Sequence, residues 1–157
     1  MAKIKRIDHL SIAVKDVDAA RAQYENLLNA KHIRTYTLKE KAGTIKVAYM
    51  QVGENVLSLI QSVEEDGFVN KHIAKHGEGM HHLGLEVDDL EEFIRETEEK
   101  GFTIPLRDEF SNRSEIVLRP KDSLGVVLQI LEWKGGSDAT IEDRIKRIVE
   151  LENIEND

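Results

Sequence analysis

The sequence predicts an α+β fold in which two like βαβββ modules are followed by a C-terminal helix. Three observations lead there. The run Ile7-Asp8-His9-Leu10-Ser11-Ile12-Ala13-Val14-Lys15-Asp16-Val17 returns, half a chain later, as Met80-His81-His82-Leu83-Gly84-Leu85-Glu86-Val87-Asp88-Asp89-Leu90. A repeat of this kind means two copies of one structural unit. After each copy the apolar spacing changes from a period of two to a helical period, and then returns to short strand-like runs. The length, 157 residues, suits one domain made of two small fused modules. The expected organisation is a domain over 1–135, with module one at 6–62 and module two at 79–133, and an amphipathic helix within 136–157.

Residues 6–14 alternate and are rich in β-branched side chains, so they read as a strand. From Val17 the spacing Val17, Ala20, Tyr24, Leu27 and Leu28 is helical, with Asp16 or Asp18 as the cap. Strands are expected at 32–38, 44–51 and 55–61, divided by Lys41-Ala42-Gly43 and Gly53-Glu54-Asn55. A short helix near 67–76 leads to Gly77-Glu78-Gly79. The order then repeats: a strand at 80–87, a helix near 89–100 stopped by Gly101, and strands near 102–107, 114–119 and 125–132. The tail, 138–154, reads as a helix with Thr140 and Asp143 as a capping pair and a stripe of Ile141, Ile145, Ile148 and Val149. That stripe must be covered, so a homodimer is expected, or at the least a tail docked on apolar surface.

A formal net charge of −8 argues against non-specific nucleic-acid binding. It leaves room for a local basic cluster, Lys39, Lys41 and Lys46, facing a phosphorylated ligand. There is no cysteine, hence no disulfide, thiolate metal site or cysteine nucleophile. No apolar run approaches the roughly 20 residues that span a bilayer, and the N-terminal residues lack a signal-peptide core. A cytoplasmic protein without membrane partners is expected.

The repeat makes His9 and His82 equivalent points whose imidazoles can converge on one cavity. Strand alternation sends His81 to the opposite face from His82, so it reads as structural, as do His32, His72 and His76. Gln129 alternates with Leu128 and Ile130, which marks it as either a metal or ligand contact or a buried amide bonded to protein or water. Glu86 shares a strand face with His82 and Gly84, which makes it a candidate for proton transfer or binding. Glu115 reads as solvated or salt-bridged.

Three stretches give the chain a family resemblance. They are Ile7 to Asp16, the run His76-Gly77-Glu78-Gly79-Met80-His81-His82-Leu83-Gly84-Leu85-Glu86-Val87-Asp88-Asp89, and Arg119-Pro120-Lys121-Asp122-Ser123-Leu124-Gly125-Val126-Val127-Leu128. On these the chain resembles the vicinal oxygen chelate superfamily, the glyoxalase/bleomycin-resistance fold, and within it the methylmalonyl-CoA epimerase family. The resemblance covers roughly residues 5–133 and implies an open β-cup. It carries a divalent-metal site over, with His9 and His82 on the two histidine ligands, Ser58 on the third ligand and Gln129 on the fourth. Lys46 falls where the family has a glutamate base, and is read either as a solvated strand lysine or as an amine near a carbonyl or phosphate. So the histidines match and the carboxylates do not. Gln61 and Glu132 have the family's ligand types but sit three residues further on, on the other strand face, and only a bulge would re-aim them.

The resemblance implies a racemase or epimerase that moves a proton α to a carbonyl through an enolate, with Lys46 and Glu86 as catalytic candidates and His9, His82 and Gln129 as metal candidates. The neutral donors imply a weakly held divalent ion, with cobalt, manganese, zinc and nickel not distinguished by the sequence, or a metal-free site in which His9 or His82 is the base. The implied substrate is a small carbonyl compound, an acyl-CoA by default or an isoflavanone of the dihydrodaidzein type. A non-catalytic small-molecule-binding protein is the alternative class. Glyoxalase or dioxygenase chemistry ranks last, because no aligned carboxylate is present.

Overall fold

In the computed structural model, which describes residues 1–135 and 140–150, strand β1 (Ile4–Ala13) is followed by helix α1 (Val17–Leu28) and strands β2 (Lys31–Glu40), β3 (Gly43–Val52) and β4 (Asn55–Ser62). Helix α2 (Phe68–His76) leads to β5 (Gly79–Val87), α3 (Leu90–Glu99), β6 (Leu106–Glu109), β7 (Arg113–Leu118) and β8 (Val127–Trp133). Helix α4 (Ile141–Val149) closes the order. The architecture is α+β with βαβββ twice over, as the repeat predicts.

The described residues form two compact units, 1–9 with 82–135 and 10–81 with 140–150. The division falls inside β1 and β5 rather than between the repeated segments. In the second unit the strand order is β2-β3-β4-β1, with β4 antiparallel to β3 and parallel to the end of β1 from Leu10↔Leu57 to Ala13↔Ile60. Alternation puts Ala48, Met50 and Leu59 on one face of these strands, where they form a core with Val14, Val17 and Ala30 under α1. In the first unit the order is β1-β5-β8-β7-β6, with β5 parallel to β8 from His82↔Val127 to Glu86↔Leu131. Its core, Val87, Leu90, Ile116 and Ile130, lies on the α3 face.

Both repeat helices start the same way. The carboxylate of Asp16 accepts the Ala19 N–H at 3.0 Å, and that of Asp89 accepts the Glu92 N–H at 2.9 Å. Asp16, rather than Asp18, is therefore the α1 cap. Helix α3 stops before Gly101, whose φ of +85° is the left-handed turn that glycine takes without strain.

Three expectations need correction. Strand β6 begins at Leu106, not near 102, because Pro105 has no N–H to give a ladder and Ile104 packs on the α3 core instead. The α1 stripe fails in its last turn: Leu27 is 68% exposed and Leu28 is also exposed. In α4, Ile141 and Ile148 are buried, but Val149 is 53% exposed and Arg144 is buried in its stead. The capping pair is present, with Thr140 Oγ1 accepting the Asp143 N–H at 3.1 Å. Helix α4 docks within its own unit: Arg34 donates to the Val149 carbonyl at 2.9 Å. The remainder of the expected tail helix, 138–139 and 151–154, lies outside the described residues.

Candidate functional site

The first unit holds the candidate site. Strand β1 delivers His9, and β5 delivers His82 with Gly84 two residues on, hence on the same face. The His9 ring lies over Gly84: a Cβ there would sit 2.5 Å from His9 Cε1 and 2.7 Å from Nδ1. The repeat has Ser11 at the equivalent position, so the missing side chain at 84 is what admits the imidazole. The two rings meet edge to face with centroids 5.3 Å apart, and their Nε2 atoms are 3.2 Å apart.

Behind His9 stands a carboxylate. Asp8 Oδ2 lies 2.7 Å from His9 Nδ1, and Asp8 Oδ1 accepts the Trp133 indole N–H at 2.9 Å. Asp8, His9 and Trp133 are all buried. Gln129 pairs with Gly84 in the parallel β5–β8 ladder, which sets it on the His82 face. It is 8% exposed, and its Oε1 is buried without a hydrogen-bond partner. An unmatched buried carbonyl oxygen costs about 1–3 kcal/mol, so this one calls for a partner.

The other candidates are placed as follows. Glu86, on the same strand face, is 1% exposed and forms an ion cluster with Lys5 Nζ at 2.8 Å and Arg6 Nε at 3.5 Å. Lys46 is in the second unit, directly opposite Gln61 and adjacent to Ala48 by alternation, on the face that carries α1. Its ammonium pairs with Asp18 at 2.6 Å. Ser58, also in the second unit, is buried on β4 opposite Ser11 and Tyr49.

Gln61 and Glu132 are not re-aimed by bulges, since β4 and β8 keep unbroken registers through both. Gln61 Oε1 accepts the Val17 N–H at 2.9 Å, and Glu132 Oε2 accepts the Leu90 N–H at 2.8 Å. Each satisfies the first orphan donor of its repeat's helix. Glu115 is salt-bridged but not solvated: it is buried and pairs with Arg113 Nε at 2.6 Å. The Arg113 guanidinium lies over the Phe110 ring.

The remaining histidines have local roles. His32 meets Thr35 Oγ1 at 2.8 Å, and His72 meets the Met80 carbonyl at 3.2 Å. His81 packs against the rings of Phe68 and His72. Burial, with His72 alongside, lowers its pKa to about 4.

Two site residues escape the sequence reading, Asp8 and Trp133, and Gly84 enters it only as a position on the His82 face. Alternation sends Asp8 to the opposite face from His9, and its bond to the neighbouring ring is invisible to a face count. Gly84 carried a signal, the one small residue that replaces Ser11 in the second copy.

The family model described as the glyoxalase/bleomycin resistance protein/dioxygenase superfamily matches residues 8–114. The chain belongs to that superfamily. Among its relatives, the uncharacterized protein YqjC of Bacillus subtilis is 30% identical over 137 residues, 84% of this chain and 95% of that protein. The mitochondrial methylmalonyl-CoA epimerase of Bos taurus is 30% identical over 133 residues, 80% of this chain and 73% of that protein. Among solved structures, the methylmalonyl-CoA epimerase of Streptomyces coelicolor in complex with 2-nitronate-propionyl-CoA gives a TM-score of 0.77 at 25% identity, covering 85% of this chain and all 100% of that one.

The donors in this superfamily member fit a divalent ion. Two nitrogens held at about 2.1 Å from one ion, with roughly 100° between them, are about 3.2 Å apart. The His9 and His82 Nε2 atoms have that separation. Gln129 supplies an unmatched oxygen, and Asp8 supports His9 from behind, as carboxylates do for metal-bound imidazoles. Among the described residues no group of three or more His, Cys, Asp or Glu side chains is placed to hold an ion, so the set would be neutral and the ion weakly held.

Proposed function

We propose that the protein is a racemase or epimerase that removes and returns a proton α to a carbonyl. The observation that carries this reading is the convergence of His9 and His82, Nε2 to Nε2 at 3.2 Å, beside the buried, unmatched Oε1 of Gln129. The methylmalonyl-CoA epimerase relatives supply the reaction class. His9, His82 and Gln129 would hold a divalent ion, which when bound supplies a Lewis acid for the carbonyl oxygen. The Gln129 amide and the His82 ring orient the substrate oxygen on the Gly84 face. In a metal-free state the lone pair of an imidazole in the His9–His82 pair takes the α-proton and returns it. Glu86 and Lys46 enter this reading as charge-balanced groups, one tied to Lys5 and Arg6 and the other to Asp18, and not as the base.

The substrate is a small carbonyl compound, an acyl-CoA such as methylmalonyl-CoA or a more acidic isoflavanone. Lost carboxylates suit the second. We place the enzyme in the cytoplasm as a homodimer; among the described residues no helix is long and apolar enough to cross a membrane. The test is deuterium uptake from solvent into methylmalonyl-CoA and into a dihydrodaidzein-type isoflavanone, alongside metal analysis of the purified protein. Exchange at the α-carbon with either compound supports the reading. Tight binding without exchange identifies a sequestering protein instead.

A further inference from the structure

We infer that Asp8, clamped by the Trp133 indole, is the positioning residue that fixes the tautomer of His9 and aims its Nε2 lone pair into the site. The inference rests on the site proposed above, but its readout does not depend on turnover.

The argument begins with the donors available. An ionised carboxylate only accepts. With Asp8 Oδ2 at 2.7 Å from His9 Nδ1, the ring proton belongs on Nδ1, and Nε2 is left as the acceptor. That nitrogen is the one facing His82 Nε2 at 3.2 Å. Had the carboxylate been elsewhere, the solution preference of imidazole would put the proton on Nε2, where it blocks both metal ligation and proton abstraction. Asp8 therefore decides whether His9 is a donor or an acceptor inside the site.

Asp8 is itself held. Its second oxygen accepts from Trp133 Nε1 at 2.9 Å, and the two residues are 125 positions apart in the chain. Trp133 is buried, with the Arg113 guanidinium 5.5 Å from its ring centroid. A buried carboxylate bonded through both oxygens cannot turn away from the imidazole. The His9 ring cannot swing away either, because it lies over the bare Cα of Gly84. The orientation is thus fixed from three sides, by Asp8, by Trp133 through Asp8, and by the bare Cα of Gly84.

The second repeat copy shows that the arrangement is specific. The residue before His82 is His81, which packs on Phe68 and His72 and offers no carboxylate. Only one imidazole of the pair is backed in this way by the residue before it.

The experiment uses full-length protein labelled with 15N-histidine. Two-bond proton–nitrogen correlation spectra report the tautomer of each ring, and competition with a chromophoric chelator gives the zinc and cobalt affinity. In the wild type, His9 is expected as the Nδ1–H tautomer. In Asp8→Asn the side-chain amide offers an N–H to the ring, so His9 should change to the Nε2–H form, and zinc affinity should fall about 10–100-fold. Exchange turnover should fall by 10²-fold or more with little change in KM, as expected when an orienting carboxylate is lost and the tautomer reverses. Trp133→Phe, which removes the N–H and keeps the ring, should weaken zinc a few-fold. A wild-type His9 with its proton on Nε2, or no metal binding together with an unaltered tautomer in Asp8→Asn, overturns the inference. Should Asp8→Asn fail to fold, the wild-type tautomer and Trp133→Phe decide it. Absence of α-proton exchange in the wild type would overturn the racemase reading and leave the tautomer result standing.

Discussion

In the first repeat copy, Asp16 caps α1 and Gln61 reaches from β4 to the N–H of Val17; in the second, Asp89 caps α3 and Glu132 reaches from β8 to that of Leu90. The helix starts are duplicated down to the atom that accepts. The histidine neighbourhoods are not. Asp8 precedes His9, but His81 precedes His82. Ser11 follows two residues after His9, but Gly84 follows two after His82. Ser58 and Gln129, three residues before the helix-tethering Gln61 and Glu132, have diverged as well. Groups that hold the repeat together have stayed the same. Groups around the candidate site differ between the copies: Asp8 against His81, Ser11 against Gly84, and Ser58 against Gln129.

The comparison breaks most decisively at the histidines. Replacing His9 or His82 by alanine should lower α-proton exchange by about 10²-fold or more and weaken zinc binding at least tenfold, while His81→Ala should keep both and cost only stability. Exchange assays beside chelator competition on the three variants check this. If His81→Ala alone loses exchange, the assignment of faces is wrong by one residue.

The next largest effect should come from making the second copy resemble the first. Gly84→Ser puts a side chain where even a Cβ would lie 2.5 Å from the His9 ring, on rigid β-backbone. The ring must move, so exchange should fall at least tenfold and stability by roughly 1–3 kcal/mol. Ser11→Gly, the reverse change, should leave the His9 tautomer as it is. Turnover and urea midpoints of the pair separate the two outcomes.

Protonation of His81 sharpens the contrast with Asp8. Its folded pKa is about 4 against an ordinary 6.5. Between those values the unfolded chain binds more protons than the folded one, so stability falls as pH drops from 6.5 toward 4. The loss is on the order of 2–3 kcal/mol across that window. His81→Leu should flatten that part of the profile in urea titrations run at stepped pH. An unchanged slope would show that His81 is already charged in the fold.

The smallest effects belong to the duplicated tethers. Gln61→Ala and Glu132→Ala should each cost about 1 kcal/mol by freeing one helix N–H, with metal affinity unchanged. Equal losses of melting temperature in the two variants would confirm that the copies match here. A collapse of zinc binding in Glu132→Ala would instead make it a ligand.

Much of this was legible in the sequence. The strand and helix order and the pairing of His9 with His82 follow from period and repeat alone, whereas the choice of Asp16 over Asp18 as the α1 cap needs the structure. The repeat fails at the places where chemistry overrides period. Alternation predicts that Asp8 and His9 point apart, yet a short carboxylate can turn back along the strand to the next ring, and Trp133, far away in sequence, decides that it does. Pro105 delays β6 because a strand needs N–H groups that proline lacks. Arg144 displaces Val149 from the buried face of α4 because its long side chain can bury its stem while the head reaches the Glu54 carbonyl at 3.5 Å. Alternation and the family resemblance mark Gln129; only the fold shows its oxygen unmatched.

The Asp8–Trp133 bond also has a meaning for biosynthesis. The indole that clamps Asp8 leaves the ribosome 125 residues after it. Until then β1 has neither β5 nor β8 in place, and pairing over such separations is slow. A nascent chain therefore carries the His9 imidazole without its clamped carboxylate until those 125 residues have been added. A product that ends before residue 133 retains both histidines but lacks the indole that holds the backing carboxylate of His9.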